Sequence, residues 1–190
     1  MTGAGIVLYG PPASGKSSTA FELGKLGAHL YRPIKCGRGR TEGYRMVDTA
    51  ELERIRRDGD VLWESHRYGS TYMWLRSELQ DLAATGCPVV ELGQPEAVTA
   101  LVSGLSDVAW TVAELFCPRT VAIERITLRR TGDEHDRVNA WDATPALDRA
   151  SVRIDTSQTP VMSVANVIWQ HLNDTPNVQM PDMHVVTRKA

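Results

Sequence analysis

Residues 10–17 read Gly-Pro-Pro-Ala-Ser-Gly-Lys-Ser, a complete G-x-x-x-x-G-K-[ST] spacing, directly after the apolar run Ile6-Val7-Leu8-Tyr9. A glycine-rich turn between a buried strand and a helix lets successive backbone N–H groups converge on the phosphates of a nucleoside triphosphate, with the helix N-terminus adding partial positive charge. Gly10, Pro11, Pro12, Ala13, Ser14, Gly15, Lys16, Ser17 and Ser18 are therefore the expected ATP-binding set. In it, Lys16 would reach the β and γ oxygens and the Ser17 hydroxyl would join a Mg²⁺ shell. The alternative, a strand-to-helix turn with no ligand, leaves the Lys-Ser pair without a purpose.

The elements that must carry these residues follow an α/β alternation. The pattern predicts a helix from Ser18 to Leu26 and a shaped basic loop over 32–40. A short strand at 44–47, a helix over 50–57 capped by Asp48 or Thr49, and an extended stretch over 61–66 follow. Beyond these lie a helix over about 71–84, a strand at 88–92, a helix over about 95–103, a strand at 108–116 and a helix over about 119–129. After a charged segment come a further helix, a last strand near 152–154 and a helix over about 161–172. Short apolar strands alternating with helices point to a parallel sheet covered on both faces. The tail over 173–190 is polar and left without an element.

Composition narrows the partners. The chain has 190 residues, 42% apolar and 23% charged, with a formal net charge of -2. That balance favours neither a nucleic-acid polymer nor an anionic membrane, so any basic site must be local. One domain over 1–172 fits the length. No apolar run approaches the ~20 residues that span a bilayer, and the start lacks a secretion signal, so the expectation is a cytoplasmic protein. Cys36, Cys87 and Cys117 show no C-x-x-C spacing and read as reduced thiols rather than a disulfide framework or zinc site. His135 among Asp133, Glu134 and Asp136 reads as a solvated polar turn rather than a metal site.

The stretch from 32 to 70 resembles the nucleotide-monophosphate lobe of guanylate kinases. That family holds the acceptor phosphate with two basic residues three apart and a tyrosine nine positions further on, a spacing matched here by Arg32, Lys35 and Tyr44. It reads guanine with a glutamate followed by Tyr-Gly-[Ser/Thr], matched by Glu64 and by Tyr68-Gly69-Ser70 with a shorter gap. The resemblance implies a five-stranded parallel P-loop kinase fold with a small acceptor lobe over about 32–70 and a lid near 129–137. It implies phosphoryl transfer from ATP to GMP or a related nucleotide, with Mg²⁺ as cofactor and the protein as monomer or homodimer. Arg32, Lys35, Tyr44, Glu64, Tyr68 and Ser70 would then bind the acceptor, Glu91 would help Ser17 organise the metal, and Arg130 and Arg137 would close over the transferring group.

Two positions depart from the family pattern: Ala28 replaces a base-reading serine and Gly93 a base-reading acid. These departures keep other acceptors open, among them a modified nucleotide or a sugar phosphate such as ribose 1,5-bisphosphate. Two more distant readings are an antibiotic-type metabolite with a hydroxyl acceptor, and a non-catalytic binding module of the same fold, against which Lys16 counts. The residue chemistry itself fits a monoester, since guanidinium, ammonium and phenol groups hydrogen-bond a phosphate dianion without taking part in proton transfer. Several residues keep a plainer reading as well: Arg38, Arg40 and Arg45 as a solvated loop, Tyr44 as a core tyrosine, Glu64 as a solvent-facing strand residue, Trp63 and Trp74 as packing, and Arg129 and Arg130 as cations answering a helix dipole.

Overall fold

The computed structural model describes residues 3–174 of the chain; the expected polar tail lies, from residue 175 on, outside the described residues. Strand β1 (Ala4–Tyr9) is the middle of a five-stranded sheet. Its neighbours are β7 (Pro88–Leu92) and β8 (Ala109–Phe116), with β2 (His29–Leu30) and β9 (Val152–Asp155) at the edges. Every pairing in this sheet is parallel. The continuous apolar run of β1 has its explanation in that position. Ile6 and Leu8 pack with Ala20 and Leu23 of α1 (Lys16–Lys25) and Val164 and Ile168 of α7 (Val161–Asp174). Val7 and Tyr9 pack on the other face with Leu79 of α3 (Arg76–Thr85) and Val98 and Leu101 of α4 (Pro95–Gly104). All four β1 side chains are fully buried, and each such apolar side chain contributes about 1.5–3 kcal/mol from the area removed from water.

Residues 34–75 build a second layer that the sequence pattern only half revealed. It is a four-stranded sheet in the order β4 (Arg45–Met46), β3 (Ile34–Gly37), β6 (Ser70–Leu75), β5 (Val61–Arg67). The expected helix over about 71–84 is corrected here: residues 70–75 are strand, and α3 begins at Arg76. Thr71, Tyr72 and Trp74 are β-branched or aromatic and suit a pleated surface. The strand period also sends them to separate jobs, because Met73 and Leu75 pack with Leu52 and Ile55 of α2 (Thr49–Asp58), while Tyr72 and Trp74 line the cleft described below. Between β5 and β6, Tyr68 (φ 53°) and Gly69 (φ 64°) form a two-residue turn with both centres left-handed, the geometry that matches strand twist. Helix α2 is capped as expected, with the Asp48 carboxylate accepting from the Glu51 N–H at 2.8 Å and Gly59 closing it at φ 75°.

Helices α5 (Arg119–Arg129) and α6 (Glu134–Asp142) pack together beside the phosphate loop through Ala122, Ile126, Val138 and Trp141. The charged segment expected as a lid is therefore a turn over 130–133 followed by the first turn of α6. None of the helices among the described residues is long and apolar enough to cross a membrane.

Candidate active site

The phosphate loop sits between the end of β1 and the start of α1. Gly10 at φ 151° and Gly15 at φ 93° adopt left-handed conformations, as does Ala13 at φ 64°, and a side chain at Gly10 would collide with the Leu115 carbonyl. The residue at the head of α1 is Gly15, which offers no side-chain cap, so the first amides of the helix stay available to an anion. The loop is braced from behind. Arg125 donates to the Ala13 carbonyl at 3.0 Å, and Thr156 donates to the Ser14 carbonyl at 3.0 Å.

Lys16 folds over this loop, its Nζ donating to the carbonyls of Gly10 at 2.7 Å and Pro11 at 2.8 Å. Burial pushes its ammonium down to about 8, with the nearby Glu91 carboxylate opposing the shift. Ser17 Oγ donates to Glu91 Oε2 at 2.8 Å, so the hydroxyl and carboxylate expected to share a metal shell are brought together from α1 and β7. This pair of hard oxygen donors suits Mg²⁺. Among the described residues no group of three or more metal-type side chains exists. Ser18 is exposed and turns away from the cleft.

Facing the loop is a wall of cations and phenols, and its membership corrects several expectations. Tyr44 and Tyr68 line the cleft as expected; burial pushes Tyr44 up to about 12 and raises Tyr68, so both keep their hydroxyl protons. Arg137 lines it too, ion-paired to Asp133 at 2.7 Å and lying over the Tyr68 ring at 5.6 Å. Arg130 is not among the lining residues; it is the exposed, left-handed residue that ends α5, and Arg129 takes the place in the cleft. Burial lowers the Arg129 guanidinium, and Arg137 and Arg40 lower it further by repulsion, so three guanidinium groups feel one another here.

Arg32 does not reach this wall. It is exposed on a separate shallow groove with Glu78 and Asp81, behind Tyr44. Lys35 is 2% exposed and lies beneath the wall, its ammonium between the rings of Tyr44 and Tyr72 at 5.4 and 5.5 Å, donating to the Arg40 carbonyl at 2.7 Å. Ser70 likewise turns inward and donates to the Arg38 carbonyl at 3.1 Å. Both residues hold the 38–43 loop, and that loop carries Arg40 into the cleft. The side chain that brings charge into the cleft from this loop is thus Arg40, which the sequence reading took for solvated surface.

Glu64 is the clearest displacement. It lies on the face of β5 turned toward α2, where Arg56 donates to both its oxygens at 2.9 and 2.5 Å and holds its carboxyl below the usual range. The strand period puts Ser65 and Arg67 on the cleft side instead. Ser65, Arg67, Tyr72 and Gln94 were all missed; an alternation count along 61–67 and 70–75 was the signal that could have found the first three. Ala28 belongs to the core under α1, while Gly93 does line the cleft.

No protein-family model and no curated protein sequence matches this chain. Among solved structures it is similar to the crystal structure of guanylate kinase from Anaplasma phagocytophilum, with a TM-score of 0.62 and 17% identity over 90% of this chain and 85% of that one. It is also similar to the crystal structure of APE1195, with a TM-score of 0.54 and 14% identity over 91% of this chain and 97% of that one. At such identities the likeness is one of architecture: the chain has a guanylate kinase-like P-loop α/β fold, with an all-parallel five-stranded sheet flanked by helices.

Proposed function

We propose that this protein transfers the γ-phosphoryl group of Mg²⁺-ATP to a small acceptor that already carries a phosphate, a nucleoside monophosphate or similar monoester. The observation that carries this reading is the pairing of two chemistries across one cleft. On one side are Lys16 and the Ser17–Glu91 contact; on the other are Arg40, Arg129 and Arg137 among Tyr44, Tyr68 and Tyr72. A cluster of guanidinium groups in which Arg129 has no carboxylate ion-pair partner among the described residues calls for an anion. An acceptor phosphate oxygen attacks the γ-phosphorus, the bond from that phosphorus to its bridging oxygen breaks, and ADP leaves. No general base is needed, because the dianion is already a nucleophile; positioning and charge stabilisation carry the rate.

Ser17 and Glu91 would hold Mg²⁺ between them and the nucleotide. Bound there, the ion supplies charge neutralisation on the β and γ oxygens. Lys16 exchanges its loop carbonyls for phosphate oxygens, and Arg129 and Arg137, from the two packed helices beside the loop, meet the charge that spreads over the moving group.

The test is ADP release with Mg²⁺-ATP against nucleoside monophosphates, sugar phosphates and non-phosphorylated alcohols, in the wild type and in Lys16→Ala. Turnover that requires a phosphorylated acceptor and vanishes in Lys16→Ala is the expected result. One observation favours a second reading, transfer to a hydroxyl: Arg32 lies outside the cleft, which leaves the acceptor's phosphate fewer ligands than the family spacing implies. Turnover of alcohols alone would select that reading, and absence of ATP binding would remove both.

A further inference from the structure

The cleft's lining holds two carboxylates, Glu42 and Glu91. Glu91 is engaged by Ser17, and the Glu42 side chain is 89% exposed on the 38–43 loop. With Glu64 tied to Arg56 on the far face of β5, the part of the cleft formed by β5, β6 and the start of α4 contains no carboxylate. The N1–H and 2-amino donors of guanine would find no charged acceptor there.

Beside the guanidinium of Arg67, that wall carries neutral polar groups instead. Ser65, 6% exposed, donates to Gln94 Oε1 at 2.6 Å. The bond uses the hydroxyl's one proton and orients the amide, so the two N–H donors of Gln94, which have no partner among the described residues, and the lone pairs of Ser65 Oγ remain for a ligand. Trp74 belongs to the same wall; it is 8% exposed, and its indole N–H is buried without an acceptor. With the guanidinium of Arg67 on the same strand face, donors outnumber acceptors here, and none of the groups is a carboxylate.

We infer that the Ser65–Gln94 pair is the reader of the acceptor's non-phosphate end, and that it takes a neutral ring bearing carbonyl oxygens, with the donor–acceptor edge of uracil or thymine, in preference to guanine. The Gln94 amide donates to a ring carbonyl while Ser65 Oγ accepts from the adjacent ring N–H. A ring of this size lies against the tyrosines of the cleft, whose faces accept stacking. This inference rests on the proposed transfer to a phosphorylated acceptor and assigns the class of acceptor within it.

The experiment is calorimetric binding of UMP, dTMP and GMP to the protein saturated with a non-hydrolysable Mg²⁺-ATP analogue, for the wild type, Gln94→Glu and Ser65→Ala. A pyrimidine monophosphate should bind at least about tenfold more tightly than GMP, since an unmet donor edge costs that much or more. Gln94→Glu should move the ratio at least about tenfold toward GMP, and Ser65→Ala should weaken the pyrimidine alone while analogue binding stays unchanged. Equal or tighter binding of GMP to the wild type overturns the inference, as does an unchanged ratio in a variant that still binds the analogue. If Gln94→Glu fails to fold, the wild-type ratio and Ser65→Ala decide. Binding of the analogue with no binding of any of the three monophosphates overturns this inference and leaves ATP-dependent transfer standing; failure to bind the analogue overturns the proposed function itself.

Discussion

The ammonium of Lys35, buried between the rings of Tyr44 and Tyr72, donates to the backbone carbonyl of Arg40 at 2.7 Å. A residue whose spacing marked it as a phosphate ligand is thus a peg from which a loop hangs, and the loop presents the guanidinium. Burial lowers the Lys35 ammonium, and repulsion from Arg137 adds to this while Asp133 opposes it, so the charge is held at a cost to folding that the ring faces and the Arg40 carbonyl offset in part.

Lys35→Met is therefore expected to leave the melting temperature unchanged or raise it, because an apolar side chain replaces a buried ion. It should raise KM for the preferred phosphorylated acceptor at least about tenfold through the loosened Arg40, with KM for ATP within about twofold of wild type. Lys35→Arg should recover part of the loss. Steady-state kinetics beside a thermal melt checks this; a lowered melting temperature with unchanged acceptor KM would refute the peg.

Glu91→Gln keeps the shape of the Ser17 contact and removes the charge. It should raise the Mg²⁺ concentration needed for half-maximal turnover by about tenfold or more while changing the acceptor KM little. A Mg²⁺ titration at fixed ATP is the measurement, and an unshifted curve would take Glu91 out of the metal shell.

Lys16, lowered to about 8 by burial in the free protein, becomes fully charged when triphosphate arrives. Binding then raises its pKa, so ATP binding takes up a proton above pH 8 and takes up none well below it. Affinity should fall by up to about tenfold per pH unit as pH rises through 8. Calorimetry in buffers of different ionisation enthalpy at pH 6.5 and 8.5 reads the proton directly, and equal uptake at both values would contradict the geometry. The same lowering works against the fold: the penalty for burying the ammonium is present below pH 8 and fades as pH rises toward the unfolded value.

Glu64→Gln tests the displaced base reader. The folded carboxyl lies below its usual range because Arg56 holds it, so its stabilisation is present above the unfolded value and is lost as pH falls through the folded one. The variant should melt about 1–3 °C lower at pH 7, with the difference shrinking as pH falls below the ordinary Glu value of about 4.3, and should leave the ranking of acceptors unchanged. A change in acceptor ranking would return Glu64 to the site.

The phosphate loop was legible because its chemistry is local: eight consecutive residues between a buried strand and a helix carry the turn, the amides and the lysine together, and Gly10, Lys16 and Ser17 stand where that spacing requires. The α/β alternation was legible for a related reason, since each short apolar run of the main sheet is covered on both faces and needs no knowledge of its neighbours. Even Glu91 could be found, one strand away, because strands beside β1 end at the same edge of the sheet.

The opposite wall could not be read this way. Whether Glu64 or Ser65 faces the cleft depends on the register of β5 against β6, and a shift of one residue exchanges the faces. Whether Arg32 or Arg40 reaches the cleft depends on a loop folded back by Lys35 and Ser70. Whether Arg129 or Arg130 does so depends on where α5 ends. The sequence by itself determined a P-loop turn on a parallel α/β sheet, with cations and phenols in supply. Only the tertiary structure decided which of them meet, because side-chain direction across a small antiparallel sheet is set by pairing partners distant in the chain.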